Sequence, residues 1–211
     1  VTLRQIWPIK IGRRSIAAVE FALFAPLLLA LFIGTAQILT LYRAEAKLNS
    51  LAYNVSQMIS IYPTPIALAN ISDMCKGVVY GLQPFPPSGL TIAVASLTME
   101  VAGATPTYDF WAADVPNSNC VAGAGTTFTK TSAVAALNPS ASTGTVIAAC
   151  DNGIIVRATL NYPGLVGIFL ANHITLTQTA YARWRSASAT QELTCTDCTS
   201  SNVSATPPCA S

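Results

Sequence analysis

Charge is scarce in this chain. Only 9% of its 211 residues are charged, against about 25% in soluble domains. The few charges are unevenly placed. The first fourteen residues hold Arg4, Lys10, Arg13 and Arg14 and no acid, whereas seven basic and eight acidic residues follow from Arg43 onward. That later stretch is close to neutral and has no basic patch, which argues against a nucleic-acid partner. Histidine occurs once, at His173; it falls at a strand start and reads as structural. There is no Gly-rich phosphate loop, nucleophile elbow or paired-carboxylate motif, so no catalysis, cofactor or metal is expected. Asp109, Asp114 and Asp151 are scattered and read as turn or surface residues. The chain begins at Val1 rather than Met, so its natural start is not read from it.

Charge is also missing from Phe21 to Tyr42, and there the absence is informative. As a helix rising about 1.5 Å per residue, FALFAPLLLALFIGTAQILTLY is roughly 33 Å long, enough for a hydrocarbon core of about 30 Å. The basic cluster just before it places the N-terminus in the cytoplasm by the positive-inside rule. A cleaved secretory signal has an apolar region of about 7–15 residues, and this run continues through Ile38, Leu39 and Leu41. A lipoprotein signal needs a cysteine at the end of the run, but the first is Cys75. A permanent single-pass anchor is therefore expected, bent near Ala22 where Pro26 removes a helical hydrogen bond.

Glu20 does not belong in a generic anchor. It lies at the cytoplasmic entrance of the apolar stretch, where a carboxylate is costly and marks a functional site by default. The plainer reading is a side chain that reaches back to Arg13, Arg14 or the membrane interface. Its context is RRSIAAVEFALFAP, residues 13–26. This resembles a class III signal, as in type IV prepilins and the pilin-like proteins of tight-adherence (Tad) systems. More closely it resembles the TadE-like pseudopilins, through Arg13-Arg14, Ser15, Val19-Glu20-Phe21-Ala22-Leu23 and Pro26. The resemblance is strong over residues 13–60, with a weaker echo at 154–185. It implies cytoplasmic-side cleavage between Ser15 and Ile16 by a prepilin peptidase, a membrane aspartyl enzyme, which makes Glu20 the fifth mature residue. Relatives usually have Gly before the cut, where this chain has Ser15. The Asp-x-Ser-x-Ser motif common in TadG-like relatives does not occur here.

Beyond the membrane, Leu48, Leu51, Val55 and Ile59 keep helical spacing, so one helix is expected from about Ile16 to Ile61, stopped by Pro63 and Pro65. A second helix is expected within 66–81, a strand at 91–102, a hairpin partner at 107–112, and a long excursion over 113–150 with a short helix at 130–137. Strands at 156–162 and 174–184 follow. These elements predict an α+β fold: a long N-terminal transmembrane helix, then an extracytoplasmic domain with antiparallel sheet, loosely pilin-like. The expected divisions are a basic leader (1–15), transmembrane helix (16–42), helix extension (43–62), α+β domain (63–185) and a Ser/Thr/Cys-rich tail (186–211) ordered only by its cysteines.

The six cysteines, Cys75, Cys120, Cys150, Cys195, Cys198 and Cys209, all follow the apolar run. An even number in an exported segment reads as disulfides. Cys120 with Cys150 would close the excursion, with the tail cysteines paired among themselves or to Cys75. A redox or zinc role for Cys195-Thr196-Asp197-Cys198 is disfavoured, because structural zinc needs four ligands and no second such pair exists. Taken with the resemblance, the sequence predicts a non-enzymatic minor pilin or pseudopilin of a bacterial inner membrane, with its C-terminal domain in the periplasm. Its implied partners are the membrane, other pilin subunits, the prepilin peptidase and the Tad inner-membrane platform, with Glu20 and Phe21 in the assembly contact. The rival reading is an envelope receptor or binding module that keeps its anchor whole.

Overall fold

A computed structural model describes residues 13–100, 107–137, 147, 151–163, 173–185 and 192–201. The chain falls into two units, Val1–Leu41 and Tyr42–Ser211. Helix α1 (Arg13–Ser60) is continuous over 48 residues. Its many Ala and Leu residues lose little freedom on becoming helical, and it runs through Pro26. It stops just before Pro63 and Pro65. The Tyr62 N–H donates to the Ile59 carbonyl at 3.1 Å and closes the last turn.

Within the second unit, α1 buries a stripe of Ala44, Leu48, Leu51, Ala52, Val55 and Ile59, spaced three or four residues apart as one helical face requires. Two buried hydroxyls on the same stretch are satisfied within the helix: Ser56 and Ser60 donate to the Tyr53 and Gln57 carbonyls, each at 2.7 Å. A two-residue strand, β1 (Ile66–Ala67), leads into α2 (Leu68–Val79). The Ala67 N–H, orphaned at the helix start, donates to Asn70 Oδ1 at 2.8 Å. Ile71, Cys75 and Val78 form the buried face of α2.

The remaining elements are β2 (Leu90–Glu100), β3 (Thr107–Val115), β4 (Gly123–Ala124), α3 (Lys130–Leu137), β5 (Asn152–Pro163), β6 (His173–Arg183), β7 (Cys195–Thr196) and β8 (Thr199–Ser201). One antiparallel sheet has the order β4-β3-β2-β5-β6, and β8 also pairs with β3. The fold is α+β. On β2, Ile92 and Val94 join the cluster that contains the α1 stripe and the buried face of α2. Ala93, Ala95 and Leu97 face the opposite way and join Phe128, Ala133 and Leu137. With both faces covered, β2 has no need of polar alternation, which is why its sequence shows little. On β5 the first face continues as Ile154, Val156, Ala158 and Leu160. The second passes from Ile155 to Arg157, Thr159 and Asn161, which emerge from the core. That is the source of the alternation over 156–162.

Gly125 is fixed by close approach. A Cβ there would lie 2.5 Å from the Ala112 carbonyl carbon, and the Gly125 N–H donates to the Ala112 carbonyl at 3.1 Å.

Two expectations need correction. The tail is ordered by more than its cysteines: Leu193 is buried, and its carbonyl accepts a hydrogen bond from Trp111 Nε1 at 2.6 Å. β7 runs parallel to β1, and β8 adds to the sheet at Phe110–Ala112. Ladders of two and three residues are too short to show periodicity in sequence. Asp109 and Asp114 are not turn residues either; both lie in β3, and Asp109 is buried.

Leu48→Ala should destabilise the second unit by about 2–5 kcal/mol, the usual range for emptying a fully buried leucine site. Tyr53→Ala, on the exposed side of the helix, should cost about 0.5 kcal/mol or less. Urea unfolding of the detergent-solubilised chain, followed by tryptophan fluorescence, measures both. Equal effects would mean that the stripe is not packed.

Candidate functional site

Between Val19 and Tyr42 most of the large apolar side chains of α1 are exposed. Leu23 is 75% exposed and Phe32 72%. The helix Ala18–Ser60 contains an 18-residue stretch with a mean hydropathy of 2.1 and is long and apolar enough to cross a membrane. A helix that is apolar all round is either buried in a core or lodged in lipid, and this one has no core around it. Covering one such side chain is worth about 1.5–3 kcal/mol. Over a dozen of them the preference for a non-aqueous setting reaches tens of kcal/mol.

The residues singled out at the start of this helix lie on one continuous rod. Arg13, Arg14, Ser15 and Ile16 all lie within the described part of α1. Glu20 lies four positions after Ile16 and therefore on the same face, about 6 Å further along the axis. Its side chain is exposed, and Phe21 beside it is 70% exposed. The geometry thus presents a carboxylate one turn beyond Ile16, at the lip of an apolar surface, with an aromatic ring next to it.

The cysteines lie elsewhere. Cys75 on α2 is bonded to Cys120, in the loop between β3 and β4, with their Cα atoms 5.4 Å apart. Cys195 is bonded to Cys198, closing the turn between β7 and β8, where Asp197 takes a left-handed φ of 68°. The expected pairing of Cys120 with Cys150 is therefore corrected. The loop after β3 folds back over α2, where the Ala122 N–H donates to Ser72 Oγ at 2.9 Å. That brings Cys120 to α2, and the sequence carried no signal of this fold-back. Cys150 and Cys209 lie outside the described residues. Among the described residues no group of three His, Cys, Asp or Glu side chains is placed to hold a metal.

Residues 16–56 match the model of the family described as TadE-like protein. The chain carries a TadE-like segment. The match begins at Ile16 and ends within the outer half of α1. No curated protein and no solved structure matches the chain.

Non-reducing proteolysis and mass mapping should find the Cys75 peptide linked to that of Cys120. A Cys120–Cys150 link would contradict the packing of the β3–β4 loop on α2. Because the first bridge spans 45 residues and the second only 3, loop entropy predicts unequal costs on removal, about 4 kcal/mol and about 2 kcal/mol. Unfolding of the two double-serine variants tests this order.

Proposed function

We propose that this chain is a minor pilin or pseudopilin of a Tad-type pilus machine and acts in assembly or anchoring without catalysis of its own. The observation that carries the reading is the uncharged run Phe21–Tyr42 of the TadE-like segment, with the Glu20 carboxylate at its edge, one turn beyond Ile16. On this reading the basic leader stays in the cytoplasm, α1 spans the inner membrane, and the domain from Tyr42 onward lies on the periplasmic side.

The mechanism follows from the register. A prepilin peptidase cuts between Ser15 and Ile16, on the cytoplasmic side of the apolar run. Removing the leader strips Arg13 and Arg14 from the helix and leaves a new amine on Ile16. In a bundle of such helices that cation meets the Glu20 carboxylate of a neighbour, and Phe21 packs beside the pair. An unpaired charge in lipid costs at least a few kcal/mol, so pairing both favours association and sets the axial offset between subunits. Other pilin subunits and the Tad inner-membrane platform are the partners this requires.

The rival reading, a receptor that keeps its anchor whole, shares the helix and differs at Ser15–Ile16. Intact mass of protein purified from cells with the cognate peptidase separates the two. The expected result is loss of everything through Ser15; a protein retaining Arg13 and Arg14 would remove the pilin mechanism and leave the anchor.

Glu20→Ala should be inserted and processed normally, because the change makes the helix more apolar and lies beyond the cut. Its recovery with partner pilin subunits should fall at least tenfold, in line with a pairing worth more than about 1.4 kcal/mol. Recovery equal to wild type would make Glu20 a residue that merely reaches the membrane interface.

A further inference from the structure

The face of the sheet that carries α3 is apolar only over part of its width. Beyond it, Asp114 on β3 and Arg157 on β5 are both register partners of Ala93 on β2. They therefore lie on one face with a single strand between them, their backbones roughly twice the ~4.8 Å strand spacing apart. Between and around them is a pocket of about 240 Å³.

Each charged group is held, but in a different way. The Arg157 guanidinium rests 4.6 Å from the centroid of the buried Phe128 ring, a cation–π contact that fixes its plane. Among the described residues no carboxylate pairs with it, in contrast to Arg183, which is paired with Asp151. A half-buried guanidinium ordered in this way presents a rigid fork of N–H donors. Asp114 Oδ2 accepts four hydrogen bonds, from the N–H and Oγ1 of Thr126 and of Thr127, at 2.7 to 3.1 Å. Asp114 Oδ1 is enclosed and accepts none among the described residues. Thr91 and Thr159 add hydroxyls to the same wall.

We propose that this pocket binds a small carboxylate that also carries hydroxyl groups, of the class of sugar acids, free or at the end of a polymer. Arg157 takes the carboxylate through a two-pronged, charge-assisted contact. The threonine hydroxyls take the hydroxyls at the other end, with Asp114 holding Thr126 and Thr127 in place. The fixed negative charge of Asp114 disfavours a dianion such as phosphate, and the hydroxyl-lined wall gives a bare carboxylate little to bind. Pockets for drug-sized ligands run from about 300 Å³ upward, so this one suits a single sugar unit. The site lies outside the TadE-like segment and does not depend on the pilin reading.

The test is calorimetric titration of the full chain in a polyoxyethylene detergent, which carries no sugar, with sodium glucuronate, glucose, inorganic phosphate and glycine in turn. Saturable binding of glucuronate, at least tenfold tighter than each of the others, supports the proposal. Arg157→Gln should reduce glucuronate binding at least tenfold, to the level of glucose. Thr159→Val, which removes one exposed hydroxyl and leaves the guanidinium in place, should weaken it severalfold and serves if the Arg157 variant does not fold. No saturable glucuronate binding, phosphate or glycine binding as well as glucuronate, or unchanged affinity in a folded variant would overturn the assignment.

Discussion

The apolar half of α1 cannot stay in water. From Val19 to Tyr42 most of its large apolar side chains are exposed among the described residues. Lipid or the helices of other chains would cover them. This constraint gives the other features of the N-terminal region their meaning. It explains why charge is excluded from Phe21 to Tyr42 and why Pro26 is tolerated. It also makes one carboxylate at the edge of the run costly enough to need a partner. On the assembly reading, that partner is supplied by the cut itself, which creates a cation one turn from Glu20 at the depth where a neighbouring carboxylate needs one.

The same helix serves a second purpose beyond Leu41. Its residues change from apolar on all sides to apolar on one side, and the stripe from Ala44 to Ile59 becomes part of a core with α2 and the sheet. The second unit is then closed by devices acting far apart in sequence. The Cys75–Cys120 bridge ties the β3–β4 loop to α2. The Trp111–Leu193 hydrogen bond and the short β8 ladder hold the tail to the sheet, and β7 pairs it with β1. Trp184 Nε1 donates to the Tyr62 carbonyl at 2.9 Å, joining the end of β6 to the exit of α1.

The elements most legible in the sequence were those with a long repeating signal. The helical spacing of Leu48, Leu51, Val55 and Ile59 and the alternation from Val156 to Tyr162 both correspond to elements of the fold. The Val19–Leu23 core was legible because its residue order is distinctive, and residues 16–56 match the family it resembles. Contacts that join distant segments left no such trace. Nothing local to Cys120 marks Cys75 as its partner. Nothing near Asp114 announces that Thr126 and Thr127 will turn back onto its carboxylate. Arg157 reads as the polar half of an alternation, and only the fold places Phe128 beneath it. Two- and three-residue strands such as β7 and β8 are likewise set by the partner they meet and not by their own residues.

On the pilin reading, α1 meets another subunit at the depth of Glu20. A photoreactive phenylalanine analogue at Phe21, adjacent to that carboxylate and itself exposed, reports directly on what lies there in native membranes. Irradiation followed by peptide mapping should yield adducts to the opening turn of a second pilin-type helix, next to its new N-terminus. Adducts to lipid alone would contradict the account and leave α1 as a solitary anchor.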